Sequence, residues 1–121
     1  VAWCGALSDA TLAVEMAAAH VMVVPSDYEG FGIVYLEGMG FGLPAMATTG
    51  GAAAELITDG VDGYLVAPGD TVALAERIAA LADDRVRLAQ MSAAARARFA
   101  GWPTWDDSCA AIHSFLLDII G

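Results

Sequence analysis

The chain has 121 residues, 58% of them hydrophobic, and sets 15 acidic side chains against five arginines and no lysine, for a formal net charge of −10. That length suits one domain with a sizeable core, and no apolar run approaches the roughly 20 residues that a membrane-spanning helix needs. Nucleic acid is disfavoured as a partner because no basic patch exists to neutralise phosphates. The first residues from Val1 do not resemble a signal peptide, having no basic flank or cleavage site, and Cys4 and Cys109 lack Cys-x-x-Cys spacing. A cytoplasmic protein with two buried free thiols is the expectation, with a disulfide between them left open.

Val1–Gly5 reads as a short strand closed by glycine. Ser8 then caps a helix over Asp9–Ala19, with Asp9 in the first turn where the helix dipole favours an acid. Val21-Met22-Val23-Val24-Pro25 is a continuous apolar strand of the kind covered on both faces in a parallel sheet. A helix over Gly32–Phe41 follows, with Gly42 at its C-terminal cap and Pro44 blocking continuation. Ala45–Thr48 is the next strand, Thr49-Gly50-Gly51 a tight turn, and Ala52–Ile57 a short helix. After the loop Asp59–Gly63 comes the strand Tyr64–Val66. Asp70 caps an amphipathic helix running through Leu81, Asp83-Asp84 starts another that reaches Phe99, and Thr104 with Asp107 forms a capping box for the last. That last helix carries Trp105, Cys109, Ile112, Leu116 and Ile119 on one face. Strands alternating with helices on short connections give an α/β class, a Rossmann-like parallel sheet with flanking helices, whose ligands sit at the C-terminal strand ends.

One such end carries the chemistry. Pro25-Ser26-Asp27-Tyr28-Glu29-Gly30-Phe31-Gly32-Ile33 leads from a strand into a helix, and Glu37 follows Glu29 with seven residues between them. Free N–H groups of Phe31, Gly32 and Ile33 at a glycine-rich helix start can hold a diphosphate. Gly30 and Gly32 let an oxygen come close to the backbone. Glu29, beside that anion site, suits a hydroxyl-bearing sugar; Glu37, on the order of 8 Å further along the helix, suits a ribose. On spacing alone the two acids serve equally as a loop carboxylate facing a helix dipole and a solvated helix residue.

Taken with Leu43-Pro44-Ala45, Thr49-Gly50-Gly51-Ala52-Ala53-Ala54-Glu55, Asp59–Val66, Pro68-Gly69-Asp70 and Trp105, the motif Glu29-x7-Glu37 within Pro-Ser-x-x-Glu-Gly-Phe-Gly resembles one known pattern. It is that of the C-terminal, donor-binding half of the retaining GT-B glycosyltransferases, the group 1 or family 4-like enzymes. The resemblance implies a hexose-like sugar moved from a nucleoside diphosphate to an acceptor, a sugar, lipid or other molecule, with retention of configuration. Glu29 would contact the donor sugar at the catalytic position. Gly30, Phe31, Gly32 and Ile33 would offer amides, Glu37 would bind ribose, and Thr49, Gly50 and Gly51 would line the neighbouring loop. The nucleotide sugar is then the substrate, with no cofactor and no metal.

The resemblance also exposes departures. Gly38 and Gly40 stand where the family has alanine, at roughly 1 kcal/mol of helix stability each. The family's upstream Arg and Lys, its first two strands and its acceptor domain have no counterpart in residues 1–121. The usual sheet order sets those two strands between Val1–Cys4 and Val21–Val24. Residues 1–121 are therefore expected to be the C-terminal part of a donor domain, inactive alone, that self-associates or binds its missing N-terminal half through a bare strand edge. A non-catalytic nucleotide-sugar-binding or scaffolding module is the alternative. His20 reads as a helix-end residue and His113 as structural, no His/Cys/Asp set has zinc spacing, and Phe99, Trp102 and Trp105 read as hydrophobic anchors. Glu55 reads either as a helper at the site or as a local cap.

Overall fold

The computed structural model describes residues 1–121 in the order α1 (Asp9–Ala18), β1 (Met22–Val24), α2 (Ile33–Gly40), β2 (Ala45–Thr48), α3 (Ala53–Leu56), β3 (Gly63–Val66), α4 (Thr71–Asp83), α5 (Arg85–Ala100) and α6 (Trp105–Ile120). The three strands form one parallel sheet ordered β1-β2-β3, with Val23 opposite Met46 and Met46 opposite Tyr64. The middle strand is buried along its whole length. Its alternation decides the layers. Ala45 and Ala47 face a core of Tyr35, Leu36, Met39, Leu56, Ile57 and Ala95, while Met46 faces Tyr64, Leu81, Leu88 and Met91. Small residues on the first face let α2 lie close to the strands. Helix α5 serves both layers, through Ala95 on one side and Leu88 and Met91 on the other.

Capping follows the local chemistry. Ser8 Oγ accepts from Thr11 N, Asp70 from Ala73 N and Asp84 from Arg87 N. Thr104 and Asp107 bond reciprocally at the start of α6. The Thr104 hydroxyl, and then the Thr104 amide, hold the Asp107 carboxyl below the usual range. Helix α2 ends in a Schellman turn: Leu43 N donates to Gly38 O at 3.0 Å and Gly42 N to Met39 O at 2.9 Å, with Gly42 at φ 78°. The two departures inside α2 have packing reasons. A Cβ on Gly38 would lie 2.4 Å from Met22 Cε on β1, and one on Gly40 would lie 3.3 Å from the Phe99 ring. Glycine at these two positions leaves room for the Met22 tip and for the Phe99 ring against α2.

Several expectations are corrected. Val1–Gly5 is not a strand but an exposed, irregular segment, because a strand exists only with a neighbour to complete its ladder and none lies beside it. Helix α2, expected from about Gly32, starts at Ile33 with Gly32 as its N-cap at a left-handed φ of 83°. Cys4 and Cys109 are free and exposed, not buried. Neither α1 nor α6 buries a residue, so the apolar face of α6 meets no partner and Trp105 is 86% exposed. Of the three expected aromatic anchors only Trp102 packs against the core; Phe99 is half exposed. His20 lies exposed beyond Ala19, whose N–H closes α1 on Glu15 O and Met16 O, and His113 is exposed on α6. The outer edge of β1 is unpaired, with Val23 exposed upon it. No helix is long and apolar enough to cross a membrane.

Candidate functional site

Two loops leave the C-terminal ends of β1 and β2 side by side, and hydrogen bonds join them. The Thr48 hydroxyl donates to Ser26 O and accepts from Gly50 N. Glu29 N donates to Gly50 O at 2.9 Å, and Ala52 N donates to Glu29 O at 2.9 Å, forming a one-residue parallel bridge between Glu29 and Gly51. Glycine is required on one side of this seam. A Cβ at Gly50 would fall 2.0 Å from Asp27 O, and one at Gly51, where φ is 92°, would fall 2.1 Å from Glu29 O. Thr49 N is also committed, to Val66 O. The loop 49–51 therefore contributes shape, the exposed Thr49 side chain and the Gly51 amide, since the Thr49 and Gly50 amides are already bonded.

The other loop is the reverse. Gly30, Phe31, Gly32, Ile33 and Val34 donate no main-chain hydrogen bond, and the first amide to turn back is Tyr35 N, to Gly32 O at 2.9 Å. No side chain caps α2. Unpaired amides at a helix start carry a partial positive charge, so this run can receive an anion. Gly30 leaves it open, with nothing within 4 Å of the place a Cβ would take.

Beneath the turn lies Tyr35, 1% exposed. Its ring carbons come within 2.5 Å of where a Cβ on Gly32 would sit, and Glu29 Cγ lies 3.2 Å from the same point. The phenol donates to Val24 O at 3.4 Å, at the end of β1. Burial, and secondly the Glu29 carboxylate, push this phenol above its ordinary pKa. Nothing in the sequence motif itself assigns a role to this residue. A large aromatic three positions after a glycine in an otherwise aliphatic helix start was the available signal.

Glu37 is exposed on α2 and lines a groove of about 680 Å³ with Phe31, Ile33, Leu36, Trp102 and Trp105. It also borders a groove of about 480 Å³ against Leu12 and Met16 of α1. Glu29 lines neither; it lies on the flank of the turn next to Gly50–Ala52. The structure thus joins Phe31, Ile33 and Glu37 in one groove and Glu29 with the loop 49–51, with Gly30 and Gly32 between. A smaller cavity of about 150 Å³ is lined by Asp27, Thr48, Val66 and Asp70, at the ends of the strands. Neither glutamate is in an ion pair; the one salt bridge is Arg98–Asp62. Four arginines are occupied elsewhere: Arg77 over the Tyr64 ring, Arg87 on Gly60 O, Arg96 on Phe41 O and Arg98 on Asp62. An anion at the turn would accordingly meet main-chain amides first. No cluster of His, Cys, Asp and Glu is arranged to hold a metal ion.

The family model for glycosyl transferases group 1 matches residues 1–98. Sucrose synthase of Acidithiobacillus caldus is 40% identical over 113 residues, 86% of this chain and 14% of that protein. A lipopolysaccharide core biosynthesis mannosyltransferase of Rhizobium meliloti is 43% identical over 83 residues, 67% of this chain and 24% of that protein. Among solved structures, sucrose-phosphate synthase of Thermosynechococcus elongatus superposes with a TM-score of 0.87 at 29% identity, over 98% of this chain and 30% of that one. The Anabaena protein Alr3699/HepE, solved in complex with UDP-glucose, superposes with a TM-score of 0.67 at 35% identity, over 70% of this chain and 24% of that one. The chain spans less than a third of each of these relatives. Its three-stranded parallel sheet, its strand-to-helix turn and the match over residues 1–98 make it a member of the glycosyl transferases group 1.

Proposed function

We propose that this chain is the donor-binding part of a retaining glycosyltransferase that moves a hexose-like sugar from a nucleoside diphosphate to an acceptor. One observation carries the reading: the unbonded run of amides from Gly30 to Val34, flanked by Glu29 and Glu37. Those amides hold the diphosphate and stabilise the charge that develops on it as the glycosidic bond breaks. Glu29 accepts from donor-sugar hydroxyls and Glu37 from the ribose. Thr49, Gly50 and Gly51 keep the Glu29 segment in register. Retention rests on the family resemblance. That a related protein was solved with UDP-glucose supports a nucleotide-sugar donor. The exposed, unpaired thiols of Cys4 and Cys109 fit a cytoplasmic setting.

The test is calorimetry and kinetics on the product of the full reading frame, with UDP, GDP, ADP and their sugars. Glu37→Ala is expected to weaken nucleotide binding roughly tenfold or more, the loss of hydrogen bonds to a charged group. Glu29→Ala is expected to lower turnover on the order of a hundredfold while nucleotide affinity stays within about twofold. Wild-type behaviour in both variants ends the assignment. Binding without transfer favours the non-catalytic module.

In the same reading, residues 1–121 are the C-terminal part of a donor domain whose open β1 edge and apolar α1 and α6 faces are covered by further polypeptide. The isolated 121 residues are expected to self-associate or to bind an added N-terminal domain, since an unpaired strand edge templates pairing. A monodisperse monomer by light scattering, indifferent to that domain, counts against it.

A further inference from the structure

The residues about the turn are stacked in an order that singles out one of them. Gly32 is held at φ 83° with the Tyr35 ring on the side where its side chain would lie, and the Glu29 stem flanks the same point. The Tyr35 hydroxyl reaches back to Val24 O. One buried side chain therefore touches the end of β1, the left-handed residue of the turn and the neighbourhood of the Glu29 carboxylate. Glu29 has no ion pair to fix its direction, and its main chain is held only by the bridge to Gly51.

We infer that Tyr35 is a positioning residue for donor-sugar recognition, its ring and hydroxyl bracing the Glu29–Gly32 turn against β1 so that the Glu29 carboxylate is aimed at the sugar. This rests on the proposed role of Glu29. Of the amides proposed to hold the diphosphate, those of Ile33 and Val34 belong to α2 itself, so the brace bears on the sugar more than on the nucleotide. Burial and the Glu29 charge keep the phenol protonated, which leaves it a donor throughout the physiological range.

The experiment measures the sugar increment, the ratio of Kd for the nucleoside diphosphate to Kd for its sugar, on the product of the full reading frame. Each of the UDP/UDP-glucose, GDP/GDP-mannose and ADP/ADP-glucose pairs is titrated, and the pair the wild type binds is used throughout. Tyr35→Phe keeps the ring and removes the hydroxyl; Tyr35→Leu removes both. The increment is expected to fall about threefold in Tyr35→Phe and further in Tyr35→Leu, with nucleoside diphosphate affinity within twofold of wild type in each. Glu29→Gln should lose the increment by itself, and Tyr35→Phe added to it should cause no further loss, because residues acting through one another are not additive. A wild-type increment in Tyr35→Phe, or additive losses in the double variant, overturns the inference while leaving the role of Glu29 intact. A wild-type increment in Glu29→Gln, or no binding of any pair by the wild type, overturns the proposed function and this inference with it.

Discussion

Gly51→Ala is expected to cripple the site more thoroughly than removal of either glutamate. At φ 92° a side chain is strained whatever the space, and here there is no space: the new Cβ would sit 2.1 Å from Glu29 O and 2.9 Å from Glu29 N. Those two atoms form the bridge on which the turn hangs, Glu29 N to Gly50 O and Ala52 N to Glu29 O. Relief therefore requires the loops 26–31 and 49–52 to separate. Left-handed strain of about 1–2 kcal/mol and a steric displacement of about 1–3 kcal/mol add to roughly 2–5 kcal/mol. Functionally, a shift near 1 Å in a positioned group costs on the order of a hundredfold in rate. Transfer in the full-length product is expected to fall at least that far, and unfolding should move to lower denaturant. Glu29→Ala, which keeps the backbone bridge, should change turnover with little change in stability. Near-wild-type turnover and denaturation midpoint in Gly51→Ala would mean that the two loops do not depend on this seam.

Whatever is local in this chain can be read from its letters, and whatever depends on an opposite surface cannot. Ser8, Asp70, Asp84 and Thr104 announce helix starts because each cap is completed within three residues. The strand-to-helix turn is visible for the same reason. Val1–Gly5 has strand composition, but the pairing that makes a strand lies in other residues, and none pairs with it. Cys109 and the stripe Trp105–Ile119 have helical periodicity, yet nothing stands opposite them. A spacing of eight positions also does not fix where two carboxylates point when a left-handed Gly32 intervenes, since the helical period does not carry across it. Glu37 consequently lines the groove of Phe31 and Ile33 while Glu29 sits beside the 50–52 loop. Tyr35 was hidden in another way: its role appears only when Val24, Gly32 and Glu29 are seen around it.

The second large effect is expected at a pair separated by 36 positions. Asp62, 3% exposed, accepts from Thr58 N at 2.7 Å through one oxygen and from Arg98 Nε at 3.1 Å through the other. Arg98 also donates to the Thr58 hydroxyl, so one guanidinium on α5 pins both ends of the loop between α3 and β3. That loop feeds β3, and its Asp62 O accepts from Ala45 N at the start of β2. Arg98→Ala would leave a buried carboxylate facing only a backbone amide. Removal of one partner from a fully buried pair costs about 3–5 kcal/mol. A third of the Arg98 side chain is exposed, so water partly replaces it and about 2 kcal/mol is the expected loss. Asp62→Ala should cost at least as much, because Thr58 N then loses its acceptor inside the fold. In the double variant the uncompensated charge is gone, and its loss of stability should fall short of the sum of the single losses by more than about 1 kcal/mol. Denaturant unfolding of the four proteins in the cycle decides it. Strict additivity would show Arg98 and Asp62 acting on separate neighbours, and the loop before β3 would then owe its position to Thr58 and the sheet alone.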